Sequence, residues 1–155
     1  MIYSKPCEYA IRALACLAAS PRRSPIQGRA IARAEGLPAP TLRKVLHLLT
    51  RKRLLRARRG PSGGFCLARR PELVSLKDVV EAVDGLDHMR RCAVGLARCA
   101  DDAPCPLHHT WKAMREQILR YLERTSLSEM ACALERKKQL LGRTRRRGIK
   151  GTETH

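Results

Sequence analysis

The stretch from Gly28 to Lys52 constrains this chain more than any other. GRAIARAE is a short helical run stopped by Gly36, and Leu37-Pro38-Ala39-Pro40 makes a tight connection with Pro40 suited to a helix start. From Thr41 to Lys52, Leu42, Val45, Leu46 and Leu49 fall at i, i+3, i+4 and i+7, one apolar stripe. Arg43, Lys44, His47 and Arg51 lie largely off it. Two short helices around a turn, the second apolar on one face and basic on the other, predict a helix-turn-helix.

The segment immediately downstream narrows the choice. Leu54 to Arg58 and Phe65 to Ala68 flank Arg59-Gly60-Pro61-Ser62-Gly63-Gly64, two short runs around a Gly/Pro turn that predict a β-hairpin. A basic hairpin directly after a helix-turn-helix reads as a wing; the plainer alternative is a solvated hairpin capping a helical core. Upstream, EYAIRALACLAA (Glu8 to Ala19) predicts a helix ended by Ser20-Pro21.

Charge divides the chain in the same way. The net charge is +18, and residues 1–70 hold 16 Lys/Arg against two acids. Residues 71–105 carry four basic residues and seven acids, and residues 106–155 carry 12 and five. Such a field at the N-terminal half calls for a polyanion, nucleic acid first and an anionic membrane surface second. Aromatics make up only 3% of residues, which argues against binding single strands by stacking. No apolar run approaches a membrane span, and Arg12 interrupts Ala10–Ala19, so no signal pattern opens the chain. A cytoplasmic protein without a membrane partner is expected. There, seven cysteines are expected as thiols or metal ligands rather than disulfides.

Ser75-Leu76-Lys77-Asp78 resembles a capping box, opening a helix through Val79, Val80 and Val83 that ends at Gly85. Residues 86–106 lose periodicity and contain Cys92, Cys99 and Cys105. Leu107, Trp111, Met114, Ile118 and Tyr121/Leu122 then restore a seam near the 3.5-residue period. A long amphipathic helix after a complete small domain is expected to pack on another chain, with Trp111, Met114, Ile118 and Leu122 at the dimer contact; the alternative is folding back on its own domain. Ser126 and Glu129 make a second capping box, and after Leu141 the apolar stripe stops, predicting a disordered basic tail. The units expected are a DNA-binding domain over 1–85, a cysteine loop over 86–106, helices over 107–141 and a tail over 142–155. The fold class is mainly α with a small β-hairpin wing, a winged helix-turn-helix plus a long C-terminal dimerisation helix.

EYAIRALACLA, IARAEGLPAPTLRKVLHLL, LLRARRGPSGGFCLAR and SLKDVVEAVDG together resemble the Rrf-type regulators, the group of IscR, NsrR and RirA. The likeness runs through CPLHHTW into TSLSEM, roughly Met1 to Ala133. It implies a homodimeric transcriptional regulator, a repressor and not an enzyme, that binds palindromic double-stranded DNA. It also implies control of operator affinity by an iron–sulfur cluster sensing iron, redox state or nitric oxide. One departure is Arg53, where the family usually has Gly; a left-handed backbone there would strain Arg.

Cys92-x6-Cys99-x5-Cys105 offers three soft thiolates from an irregular segment able to wrap a cluster, [2Fe–2S] or [4Fe–4S], with one coordination position left over. The resemblance points to His108 for that position. It also offers Glu8 of the partner subunit, as in NsrR-like members, with His109 the weaker neighbour. Competing readings are a zinc site of Cys92, Cys99, Cys105 and His108, disulfide chemistry without metal, and three unligated thiols. Cys7, Cys16, Cys66 and Cys132 read as small buried hydrophobes. On the DNA side, Thr41, Arg43 and Lys44 are the expected base readers, with His47 on the same face. Arg51 and Arg58 are expected on phosphates, and Arg59 resembles the family's minor-groove arginine at the wing tip. A non-specific nucleic-acid-binding protein is the alternative that charge alone allows.

Overall fold

The computed structural model describes residues 2–20, 24–96 and 100–149. Its centre is α1 (Lys5–Ala18), whose Cys7, Ala10, Ile11, Leu14 and Leu17 are buried. Ser4 caps it, its hydroxyl accepting from the Cys7 amide at 3.3 Å. Against α1 pack α2 (Gly28–Glu35) and α3 (Ala39–Arg51), the two helices of the expected motif. Gly36 ends α2 in the left-handed region at φ +60°, and Pro40 stands in the first turn of α3. Leu42, Val45, Leu46 and Leu49 are buried as the stripe predicts.

α3 ends in a Schellman turn. The amide of Leu54 donates to the Leu49 carbonyl and that of Arg53 to Thr50, both at 3.0 Å, while Leu49 and Leu54 are both buried. This turn forces Arg53 to φ +59°, where glycine would sit without a Cβ penalty of about 1 kcal/mol. The chain continues into β1 (Leu55–Arg58) and β2 (Gly64–Leu67), paired antiparallel from Leu55↔Leu67 to Arg58↔Gly64. Ile26 and Phe65 exchange both amide bonds at 2.9 Å, stitching the hairpin to the entry of α2. A Cβ on Gly64 would meet the Ile26 carbonyl at 2.5 Å, so this stitch needs glycine.

A short 3-10 turn (Pro71–Leu73) leads to α4 (Leu76–Val83), whose capping box is complete: Ser75 and Asp78 each bond the other's amide. Residues 86–106 are not wholly irregular as expected, since α5 (Asp87–Arg90) makes one helical turn, anchored by buried Met89. Next come α6 (His108–Arg124) and α7 (Leu127–Ile149), the latter opened by the Ser126/Glu129 box. The junction of the two is bonded to the entry of α4. Leu76 N–H donates to the Thr125 carbonyl at 2.9 Å, and Leu127 N–H to that of Val74 at 2.7 Å.

Two expectations change here. The sequence predicts a disordered tail from residue 142, yet α7 continues to Ile149; arginine-rich sequence has good helix propensity and needs no apolar stripe to propagate a helix already begun. Residues 150–155 of that tail lie outside the described residues. Leu122, expected at a dimer contact, is 1% exposed inside this chain's own core, and Ile118 packs against that core. At about 100° per residue these positions span a broad arc rather than a single line, so its two edges face differently. Leu122 and Ile118 face the domain, whereas Leu107, Met114 and Tyr121, spaced by sevens, are each more than half exposed.

Candidate DNA interface and cysteine loop

Thr41, Arg43, Lys44, His47 and Arg51 all lie on the exposed face of α3, opposite its buried stripe. A concavity of about 590 Å³ opens between the start of α2, the first half of α3 and the wing. Arg43, Lys44 and His47 line it, with Phe65 of the wing and Arg29, a residue the sequence pattern did not single out. Arg29 stands just after the first residue of α2, and its nearness to α3 arises only when the turn folds. The His47 ring stands edge-on to Phe65 with centroids 5.8 Å apart, so it braces the wing against α3 as well as facing outward. Gln27 Nε2 donates to the Pro61 carbonyl at 3.4 Å, a second tie between wing and α2.

Arg58 and Arg59 are exposed at the end of β1 and in the turn. Among the described residues none of Arg29, Arg43, Lys44, Arg51, Arg58 and Arg59 has an acidic partner within 4.0 Å. Elsewhere the chain does pair its charges: Lys77 with Glu123, Lys112 with Asp101, and Lys138 and Arg12 with Glu35. Unpaired cations gathered on one face repel each other unless an external polyanion neutralises them.

At the other end, the cysteine loop is drawn onto the first turn of α6. Trp111 Nε1 donates to the Arg91 carbonyl at 3.0 Å, which sets the neighbouring Cys92, 8% exposed, beside that turn. The Cys105 carbonyl accepts from the His108 amide at 2.9 Å, so these two residues share the same helix start. His108 is 3% exposed, and its Nε2 lies 2.8 Å from Asp101 Oδ1. Lys112 and then His108 hold the Asp101 carboxyl down at about 2. An imidazole oriented by a carboxylate on one nitrogen is a usual arrangement around a metal-ligating histidine. Cys99 lies outside the described residues; among those described, no three His, Cys, Asp or Glu residues cluster closely enough to hold a metal.

The other candidates stand apart from this group. Glu8 lies in the first turn of α1, its carboxylate 2.7 Å from the Lys5 ammonium. His109 is exposed and packs edge-on against His108 at 5.2 Å. Burial pushes the Cys7 thiol up to about 12, aided by Asp84 and Glu8, which suits a core side chain rather than a thiolate ligand. Cys16 is half-buried and shifted upward by the same cause, and Cys66 is half-buried. Cys132 corrects the expectation of burial: it is exposed on the outer side of α7.

The donor types near this helix start are ones an iron–sulfur cluster would use: thiols at Cys92 and Cys105 and an imidazole at His108, with a helix N-terminus that would favour negative charge.

Comparison with known proteins gives this geometry its context. Residues 3–133 match the Rrf2 family, described as iron-dependent transcriptional regulators. An HTH-type transcriptional regulator of Aquifex aeolicus is 31% identical over 132 residues, covering 84% of this chain and 91% of that protein. IscR of Klebsiella pneumoniae is 25% identical over 122 residues, covering 79% and 74%. Among solved structures, CymR, the global cysteine regulator of B. subtilis, superposes with a TM-score of 0.71 at 20% identity, covering 84% of this chain and 95% of that one. T. potens IscR gives 0.70 at 22%, covering 86% and 88%. Their fold is the winged helix-turn-helix built here from α2, α3 and the hairpin. With its unpaired cations on the exposed side of α3 and the wing, and the match running from α1 into the start of α7, the chain belongs to the Rrf2 family of DNA-binding transcriptional regulators, which are not enzymes.

Proposed function

We propose that this protein is a cytoplasmic, homodimeric repressor whose affinity for a palindromic operator is set by an iron–sulfur cluster on Cys92, Cys99 and Cys105, with His108 as fourth ligand. The observation that supports the reading is buried His108 at the start of α6, with Asp101 on its ring and its amide bonded to the Cys105 carbonyl, while the segment of Cys92 is tied to the same helix through the Trp111–Arg91 bond. When bound, the cluster supplies a redox- and ligand-sensitive centre. The residues' own part is to hold it: the thiolates by ligation, Asp101 by orienting His108, Trp111 by keeping the strand of Cys92 against α6.

In this reading the exposed stripe Leu107–Met114–Tyr121, flanked by half-buried Trp111, meets its copy across a two-fold axis. The two α3 helices then address half-sites about 34–36 Å apart, with Thr41, Arg43 and Lys44 toward base edges. Arg51 and Arg58 neutralise phosphates, and Arg59 enters a narrow A·T-rich minor groove. Arg51→Ala weakens all DNA alike, whereas Arg59→Ala relaxes preference at A·T-rich flanks.

The test is anaerobic purification followed by absorbance, Mössbauer spectroscopy and metal analysis, then selection of the operator from a random duplex library. Iron with acid-labile sulfide, and at least tenfold weaker operator binding by the Cys92/Cys99/Cys105→Ala protein, is the expected result. One zinc per chain would replace the cluster by a structural Cys3His site. Equal affinity of the triple variant would remove the loop from the switch. Binding that yields to excess random DNA would return the chain to non-specific nucleic-acid binding.

A further inference from the structure

The strained residue at the end of α3 points to a second binding surface. Arg53 is the one described non-glycine residue with positive φ, and its exposed side chain has no hydrogen bond or ion pair among the described residues to set against that strain. The Schellman turn, with Leu49 and Leu54 buried, holds that backbone, but it gives the Arg53 side chain itself no role inside the domain. Arg53 borders an open groove of about 820 Å³, floored by Leu55 and Ala57 and rimmed by Lys52, Arg56 and Arg69. All four cations are exposed, and none has an acidic partner among the described residues; Glu72 nearby pairs with Arg70 instead. Lys52 and Arg53 could serve merely to complement the negative end of α3. Arg56, from β1, and Arg69, from the segment after β2, have no such duty, yet they converge on the same groove. The groove shares no residue with the concavity lined by Arg43, Lys44 and His47.

We propose that this groove is a phosphate-binding surface that takes the DNA backbone beyond the base pairs reached by α3 and the wing tip. Its shape suits that ligand: an apolar floor offers a sugar–phosphate strand no competing hydrogen bonds, while the rim supplies guanidinium groups that bind phosphate in bidentate fashion. The proposal rests on the DNA-binding reading but not on the cluster.

The experiment uses the library-selected operator as two duplexes, one trimmed to its two half-sites and one extended by ten base pairs at each end. Fluorescence anisotropy is followed across a salt series. The intact protein should bind the extended duplex at least tenfold more tightly, with a steeper log–log salt slope. Arg56→Gln/Arg69→Gln should match it on the trimmed duplex and lose most of the advantage on the extended one, with roughly one unit of slope lost per phosphate contact removed. Arg53→Gly separates contact from fold: it should melt at higher temperature yet bind the extended duplex about threefold more weakly. Equal binding of the two duplexes by the intact protein would overturn the proposal. So would variants that behave like it on the extended duplex, or that lose both duplexes equally. Failure of the intact protein to bind either duplex would instead overturn the DNA-binding reading.

Discussion

Glu35 offers the sharpest test of how the C-terminal helix is held to the DNA-binding domain. Its carboxylate side chain is 1% exposed at the end of α2, with Lys138 Nζ of α7 at 2.6 Å and Arg12 Nε of α1 at 3.5 Å. Arg12 also donates to the Glu35 carbonyl. Burial alone would push the Lys138 ammonium down; bonding to Glu35 and Glu135 outweighs it and leaves it above its ordinary value. Lys138→Met keeps the aliphatic stem and deletes the charge. Breaking a fully buried pair costs about 3–5 kcal/mol, because the surviving charge is stranded. Here Arg12 remains, and the lysine side chain is 43% exposed, so screening by solvent reduces the loss to about 1–2 kcal/mol. For a chain of this size that is a fall in Tm of roughly 3–6 °C.

Urea unfolding followed by circular dichroism at fixed protomer concentration measures it, with an unchanged m-value as the check that compactness is preserved. Glu35→Gln should cost a similar amount, and the double variant should cost at least about 0.5 kcal/mol less than the sum, the smallest coupling expected of residues in contact. Strict additivity, or a Lys138→Met protein within about 0.3 kcal/mol of the parent, would refute the claim that this triad fastens α7 to α2.

Met114→Asp or Tyr121→Asp should yield monomers in sedimentation with the melting curve nearly intact, whereas Leu122→Asp, which buries a charge in the core, should destabilise the chain by several kcal/mol. Cys92→Ala should abolish the visible chromophore, while His108→Ala and Asp101→Asn should retain iron but bleach faster in air. The Ser126 amide, then its hydroxyl, hold the Glu129 carboxyl below its usual 4.5. A depressed carboxylate stabilises the start of α7 above its unfolded value and ceases to do so as pH falls through the lower folded one. Carboxyl chemical shifts should therefore show Glu129 titrating below its usual 4.5, and Ser126→Ala, which removes the hydroxyl but keeps the amide, should raise it only part of the way back.

Local rules made much of the DNA-binding domain legible. The bounds of α2, the buried stripe of α3, the Gly/Pro turn and both capping boxes arise from spacing and cap chemistry, interactions spanning a few residues. The strain at Arg53 is anticipated only through the family resemblance, which places glycine where this chain has arginine. What periodicity could not supply is long-range pairing. Glu35 counts in the sequence only as an isolated acid; its partner is 103 residues away. Leu122 and Met114 are equally apolar, and only the packing of α6 on α4 decides which flank faces inward. Asp101 belonged to an acidic stretch, and its place on His108 appears only once the loop closes on α6.

The packing also explains how the proposed cluster could be heard at the DNA. The C-terminal end of α6 is fixed to the domain by buried Leu122 and by the paired bonds between residues 74–76 and 125–127. Its N-terminal end, 17 residues away, is held through the loop, by the Trp111–Arg91 bond and the side chains around Cys92 and His108. A helix anchored at one end and tethered at the other behaves as a lever, and its exposed Leu107–Met114–Tyr121 stripe lies along the arm. Ordering the loop fixes the angle of that arm to α1, and α1 packs directly on α3. In a dimer joined through the stripe, a small change of angle becomes a change in the separation of two recognition helices, while each DNA-binding domain stays rigid. Coupling then requires only that loop ligation favour one arm angle, and tenfold control of affinity needs about 1.4 kcal/mol of that preference. That is comparable to one or two of the hydrogen bonds now holding the loop to α6.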